Sequence, residues 1–256
     1  MRVKACGMSD VGLTRAHNED CFRIDGRLQV YVVADGMGGH SHGEVASRIA
    51  VDSILDFVER TSDTDVTWPK GYDPELDRNA NRLRSAIQDA HARVLLAIEQ
   101  NAALAGMGTT VVSCLMNGDS TVIAHVGDSR CYRFRAGRLE LMTQDHTWVN
   151  EQVVAGYLSE EQARIHPLKN VVTRALGGES EVAVDVREHP IELGDLFLLC
   201  SDGLTTMLGD REIAARMGSD LPLEAICRQL VDDANAKGGL DNVTVVLMQV
   251  EESDPA

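Results

Sequence analysis

Apolar residues in this chain fall in short runs broken by polar or glycine-bearing turns, with helical spacing confined to a few longer stretches. CFRID, an Asp25-Gly26 turn and RLQVYVVAD read as two strands of a hairpin. VASRIAVDSILDFVER places Val45, Ile49, Ile54 and Val58 near helical spacing, and Glu44 suits the positive end of that helix. TSDTDVTWPKGYD reads as a loop. Pro74 then suits the start of a second helix with an apolar stripe of Leu83, Ile87, Val94 and Ile98. TTVVSCLM and STVIAHVGDSR around Asn117-Gly118 form a strong hairpin signal, and CYRFR with RLELMT around Gly137 extends the sheet.

Residues 147–180 are less strand-like. Ser159-Glu-Glu-Gln162 is a capping box for a short helix, so this segment reads as a helical insertion. Strands return in EVAVDVRE and DLFLLCS, followed by helical DREIAARM and LEAICRQLVDDANAK and a closing strand NVTVVLMQV. Strands grouped in runs between helices predict an α+β fold: two packed antiparallel sheets with helices on their outer faces, an α-β-β-α sandwich. With no repeat or linker, residues 1–251 are expected to form a single domain with the insertion at about 147–180, and 252–256 a frayed tail.

Composition narrows the field. A net charge of −16 argues against nucleic acid or an anionic membrane as the main partner. No apolar stretch approaches the roughly 18–20 residues of a membrane span, and MRVKACGMSD lacks a signal-peptide core. The six cysteines form no CxxC pair and mostly sit in apolar strands, so they read as reduced thiols in a cytoplasmic protein.

The informative polar residues are five aspartates at the ends of apolar runs: Asp20, Asp35, Asp128, Asp202 and Asp241. Adjacent antiparallel strands bring the end of one beside the start of the next, so these carboxylates can meet at one sheet edge. So many acids together repel one another and lose hydration unless hard cations with oxygen ligands neutralise them. In Asp35-Gly36-Met37-Gly38-Gly39-His40 the glycines let backbone approach a ligand and offer a carbonyl. The run is neither a dinucleotide-binding GxGxxG nor a P-loop. Asp25-Gly26, without flanking acids, reads as a plain turn. Arg15, four residues before Glu19, is suited to bidentate contact with phosphate oxygens, although that hexapeptide taken alone reads better as a surface ion-pair cluster.

Taken in order, RAHNED, VADGMGGHSHGEVAS, GMGTT, VGDSR, TQDHT, CSDGL and DNVTVV resemble the metal-dependent protein phosphatases of the phosphatase 2C family, above all its stand-alone bacterial members. The resemblance spans residues 15–247. It implies two Mg2+ or Mn2+ ions at one edge of the paired sheets, with Asp35 bridging them. Asp202 and Asp241 hold the first ion, the Gly36 carbonyl helps hold the second, and Glu19 and Asp20 act through bound water. Asp128 corresponds to the acid of a third, weaker ion, and Arg15 to the arginine that grips the phosphoryl group. Animal members place a histidine after the Asp-Gly pair as general acid; here that residue is Met37, which leaves His40 or water to deliver the proton. The segment 147–180 corresponds to the flap of bacterial members, and His146 to a residue that supports the fold.

The implied activity is hydrolysis of phosphoserine and phosphothreonine in proteins by metal-activated water, in a cytoplasmic monomer that opposes Ser/Thr kinases and uses neither nucleic acid nor membrane. A cysteine-nucleophile mechanism is disfavoured. A silent phosphoprotein sensor of the same fold is expected to lack one of the acids or Arg15, and all are present. A hydrolase of small phosphorylated metabolites is the third reading, disfavoured by an aromatic content of 4%.

Overall fold

The structure, a computed structural model, describes residues 1–38, 42–62 and 72–252. One sheet orders its strands β1 (Arg2–Asp10), β11 (Val243–Glu251), β10 (Leu196–Cys200), β7 (Arg130–Arg135) and β8 (Arg138–Leu141). The other orders β2 (Asp20–Asp25), β3 (Val30–Met37), β5 (Val111–Asn117), β6 (Ser120–Val126) and β9 (Asp185–Pro190), with the short β4 (Gly108–Thr109) on β3. Every pairing between these strands is antiparallel. Helices α1 (Gly43–Arg60) and α2 (Arg78–Gln100) cover the second sheet. Helices α5 (Asp202–Met207), α6 (Asp210–Met217) and α7 (Leu223–Ala236) cover the first.

Strand periodicity builds three cores from one sequence pattern. On β3, Val30, Val32 and Ala34 face α1 and α2, whereas Tyr31 and Val33 face the other sheet. On β10, Phe197 and Leu199 point between the sheets, and Leu196, Leu198 and Cys200 point to α5–α7. Central strands buried on both faces read as continuous apolar runs, which is why VYVVA and LFLLC carry no polar alternation. Phe197 is fully buried between the sheets. Phe197→Ala is therefore expected to destabilise the fold by about 3–5 kcal/mol in urea unfolding, and a loss under 1 kcal/mol would show that the inter-sheet layer collapses around the gap.

The predicted hairpins, the sandwich and the capping box at Ser159 are all present. The insertion consists of α3 (Trp148–Val154) and α4 (Glu160–Ile165). It returns to its starting point through the Trp148 N–H to Val171 O and Thr173 N–H to His146 O bonds. Two boundaries differ from the sequence expectation. The second helix begins at Arg78, because the Asp77 carboxylate caps it by accepting the Ala80 N–H, and Pro74 lies in the preceding turn. The strand expected from Glu181 begins at Asp185, since Val182 and Val184 pack on the helix-side core before the ladder starts. β1 and α5 are additional elements that the sequence reading passes over.

Candidate active site

Antiparallel pairing performs the convergence expected of the acids. Asp20 opens β2 directly opposite Asp35 near the end of β3. Asp128 follows β6, Asp202 follows β10 by one intervening serine, and Asp241 stands two residues before β11. Cys200 at the end of β10 pairs with Val245 near the start of β11 and with Arg130 at the start of β7, so Asp128, Asp202 and Asp241 share one edge of the first sheet, and the Ser201 hydroxyl bond to Asp20 joins that edge to the second.

The backbone there is held by hydrogen bonds that leave little freedom. The Asp35 carbonyl accepts from the Thr110 N–H (2.9 Å) and the Thr109 hydroxyl (2.8 Å), and the Asp35 N–H donates to Thr110 Oγ1. The Gly36 N–H donates to Glu19 O. A Cβ on Gly36 would lie 2.2 Å from Gly43 O and 2.5 Å from Glu19 O, so only glycine permits the close approach of these three segments. Gly127, at φ +105°, turns the chain from β6 into Asp128 and donates its N–H to His146 Nδ1. Behind it the Arg130 guanidinium forks onto Asp145 at 2.7–3.2 Å and donates to Tyr132 Oη, a half-buried cation set against the acid cluster.

Asn242 is the residue the sequence reading misses. Its Oδ1 accepts the Glu19 N–H, and its Nδ2 donates to Val11 O and His17 O, so one side chain clasps the 11–19 loop to the start of β11. Ser201 has a similar part: its hydroxyl donates to Asp20 Oδ2 (2.7 Å) and accepts the Thr244 N–H. Beside an aspartate both residues look like ordinary turn formers, which hides them in the sequence.

Burial sets the electrostatics. Asp20 is pushed up to about 7, first by desolvation and then by Asp202 and Asp241, against hydrogen bonds from Thr244 and Ser201. Asp128 is also pushed up to about 7, by desolvation and then by Asp202 and Asp145. Asp35 is raised well above the usual carboxylate range by desolvation and by Asp20, Asp202, Asp128 and Asp241. Asp202 is raised by burial and Asp241, while a hydrogen bond with Asp35 works the other way. One buried oxygen, Asp20 Oδ1, has no hydrogen-bond partner. A buried acceptor without a partner, among aspartates of which Asp20, Asp35, Asp128 and Asp202 are raised, fits a site built for divalent cations.

Arg15 and Asp241 form an ion pair, Nη2 to Oδ2 at 2.7 Å, with Arg15 about half exposed. Asp241 therefore leans toward the arginine, and Asp35, Asp202 and Asp241 are not drawn around a single point. Among the described residues, the one trio whose ligand atoms all lie within 4.8 Å is His125, His146 and Asp185. That trio is a brace. His146 Nδ1 accepts the Gly127 N–H, which puts the ring proton on Nε2, facing Asp185 at 3.5 Å. His125 lies against the Gln144 carbonyl through Nε2 and stacks flat on His146, ring centres 4.7 Å apart. Burial, then His125 and Arg174, push His146 down to about 4. Arg174 reaches Asp185 at 3.0 Å and ties the end of the insertion to β9.

His40 lies outside the described residues. Cys21 and Arg27 stand at the Cys-x5-Arg spacing of cysteine phosphatases, a match the sequence reading overlooks. The structure lays Cys21 on β2 with its thiol pushed up by burial and pairs Arg27 with Glu59, so the two build no phosphate loop. A groove of about 700 Å³ along α1 between Glu44 and Asp56 is lined by none of the five converging aspartates.

Carboxylates delivered by five strand ends, beside a half-exposed arginine on a four-layer sandwich, define the class of metal-dependent phosphomonoester hydrolases. The profile of the Protein phosphatase 2C family matches residues 14–242, and the chain belongs to that family. It is 38% identical over 249 residues to the serine/threonine phosphatase stp of Listeria welshimeri, covering 94% of this chain and 93% of that one. The crystal structure of the Mycobacterium tuberculosis serine/threonine phosphatase PstP/Ppp superposes with a TM-score of 0.87 at 32% identity, over 98% of this chain and 100% of that chain. The catalytic domain of PstP in complex with two manganese ions superposes with a TM-score of 0.80 at 32% identity, over 98% of this chain and 99% of that chain.

Proposed function

We propose that the chain is a Mg2+/Mn2+-dependent protein serine/threonine phosphatase whose centre is the aspartate edge described above. The observation that carries this is the meeting of Asp20, Asp35, Asp128, Asp202 and Asp241 within mutual electrostatic reach, in a chain matched to the family across residues 14–242. Asp35, Asp202, Asp241 and the Gly36 carbonyl would hold two ions, Glu19 and Asp20 would act through water, and Asp128 would serve a third. Ions held there would supply an activated water for in-line attack on phosphorus and charge neutralisation in the transition state. Arg15 orients the phosphoryl oxygens, since a guanidinium offers five N–H donors and Asp241 engages only its Nη2. Thr109, Thr110, Ser201 and Asn242 hold the acids in register and keep their backbone from shifting as charge moves.

We read residues 1–251 as one phosphatase domain with a flap at about 147–180, working as a monomer in the cytoplasm on phosphoproteins of Ser/Thr kinases. Six free thiols support a reducing compartment. Among the described residues no helix is long and apolar enough to cross a membrane. Hydrolysis of p-nitrophenyl phosphate and of a phosphothreonine peptide is expected in Mn2+ and nearly none in chelator, with nucleotides slower than the peptide. Robust turnover in chelator would remove the metal reading, and faster turnover of nucleotides would remove the protein substrate.

A further inference from the structure

Two leucines flank the arginine and the acid at the mouth of this site, and both are exposed: Leu13 at 70% and Leu240 at 55%. An exposed leucine alone is ordinary. These two are set apart by where they stand. The Leu13 and Thr14 N–H groups both donate to Gly239 O, at 2.8 and 3.2 Å, which clips the loop bearing Arg15 to the loop bearing Asp241. The clip is braced from below, because Asp10 Oδ1 accepts from the Gly12 N–H and from Asn235 Nδ2. On the glycine pair between the loops, a Cβ at Gly239 would lie 2.9 Å from Leu13 Cγ, and one at Gly238 would lie 3.9 Å from Leu240 Cγ and 4.0 Å from Met207 Sδ. Leu13 thus lies over Gly239 and Leu240 and Met207 lie beside Gly238, so apolar side chains border the glycine pair as a ledge. Leu13 is two residues from Arg15 and Leu240 is next to Asp241, the pair joined at 2.7 Å.

Resting on the phosphatase reading, we propose that this ledge receives an apolar side chain of the substrate close to its phosphorylated residue. An extended peptide advances about 3.3–3.6 Å per residue. With its phosphoryl group at Arg15, a side chain one or two positions away falls within reach of Leu13 and Leu240. The ledge is continuous with the phosphoryl site through the chain itself, and its loops are pinned by the clip. The occupant is thus a segment of the phosphoprotein, and the ledge selects for Leu, Ile, Val or Met beside the phosphorylated residue.

The test compares phosphothreonine peptides that differ only in carrying Leu or Ser at the positions flanking phosphothreonine, with p-nitrophenyl phosphate as the control that has no flanking residue. The unmodified enzyme is expected to favour the leucine peptide about tenfold in kcat/KM, the scale of burying one such side chain. Leu13→Ser combined with Leu240→Ser should cut that preference below threefold, chiefly through KM, and leave p-nitrophenyl phosphate turnover within twofold. No preference in the unmodified enzyme, a preference that survives both substitutions, or equal losses on peptides and control would each overturn the proposal. So would a concentration-dependent dimer in sedimentation that the double variant dissolves, which would give the ledge to a second copy of the chain. If the unmodified protein fails to hydrolyse p-nitrophenyl phosphate in Mn2+, the phosphatase reading itself has failed, an outcome visible before any variant is made.

Discussion

Asp202→Asn is expected to lower kcat in saturating Mn2+ by about 10³-fold or more while the protein stays folded. Loss of one oriented charge-stabilising group typically costs about 10²–10³, and on the proposed reading Asp202 would also help hold the ions that supply most of the charge. The fold survives for a local reason. Asp202 is half-buried, is raised by desolvation and by Asp241, and hydrogen-bonds Asp35, so a neutral amide of the same shape removes like-charge repulsion and can donate to the Asp35 carboxylate. The variant should therefore melt at or above the temperature of the unmodified protein when both are in chelator, the usual trade between stability and a strained site. Retention of more than a tenth of the activity would take Asp202 out of the mechanism, and a lower melting temperature in chelator would contradict the repulsion.

The same acids give stability an unusual pH dependence. Asp20 and Asp128 lie at about 7 in the fold, and Asp35 is also raised, whereas an unfolded chain titrates its aspartates near the ordinary value of about 3.9. Between about pH 4 and 7 the folded chain holds protons that the unfolded chain has released. This stabilising contribution is full below the unfolded value and is lost as pH rises through the folded one. In chelator, melting temperature should fall from pH 5.5 to 7.5. Mn2+ at a hundred times its dissociation constant should raise it by about 5–10 °C at pH 7.5, because such an excess contributes about 2.7 kcal/mol. The gain should shrink at pH 5.5, where protons compete for the same oxygens. A melting temperature in chelator that climbs toward pH 7.5 would show that these acids are not buried together.

Much of this was legible in the sequence, and for identifiable reasons. The five aspartates stand out because each punctuates an apolar run, and antiparallel pairing then fixes that such ends meet. The sandwich is legible because VYVVA, STVIAHV and LFLLC are too apolar for sheets with a wet face. β1 escapes because its residues are mostly half-buried along an outer strand, without the clean alternation that marks one face. α5 escapes because it is six residues long and opens with Asp-Gly, which reads as a turn. Asn242 and Ser201 escape because their value lies in bonds to residues about two hundred positions away, and no local pattern records such a partner.

The place of β11 between β1 and β10 ties the site to the integrity of one strand. β1 pairs with all nine of its residues, and the Asn242 clasp reaches back to Glu19. A change that unzips β11 therefore unseats Arg15 and Asp241 together.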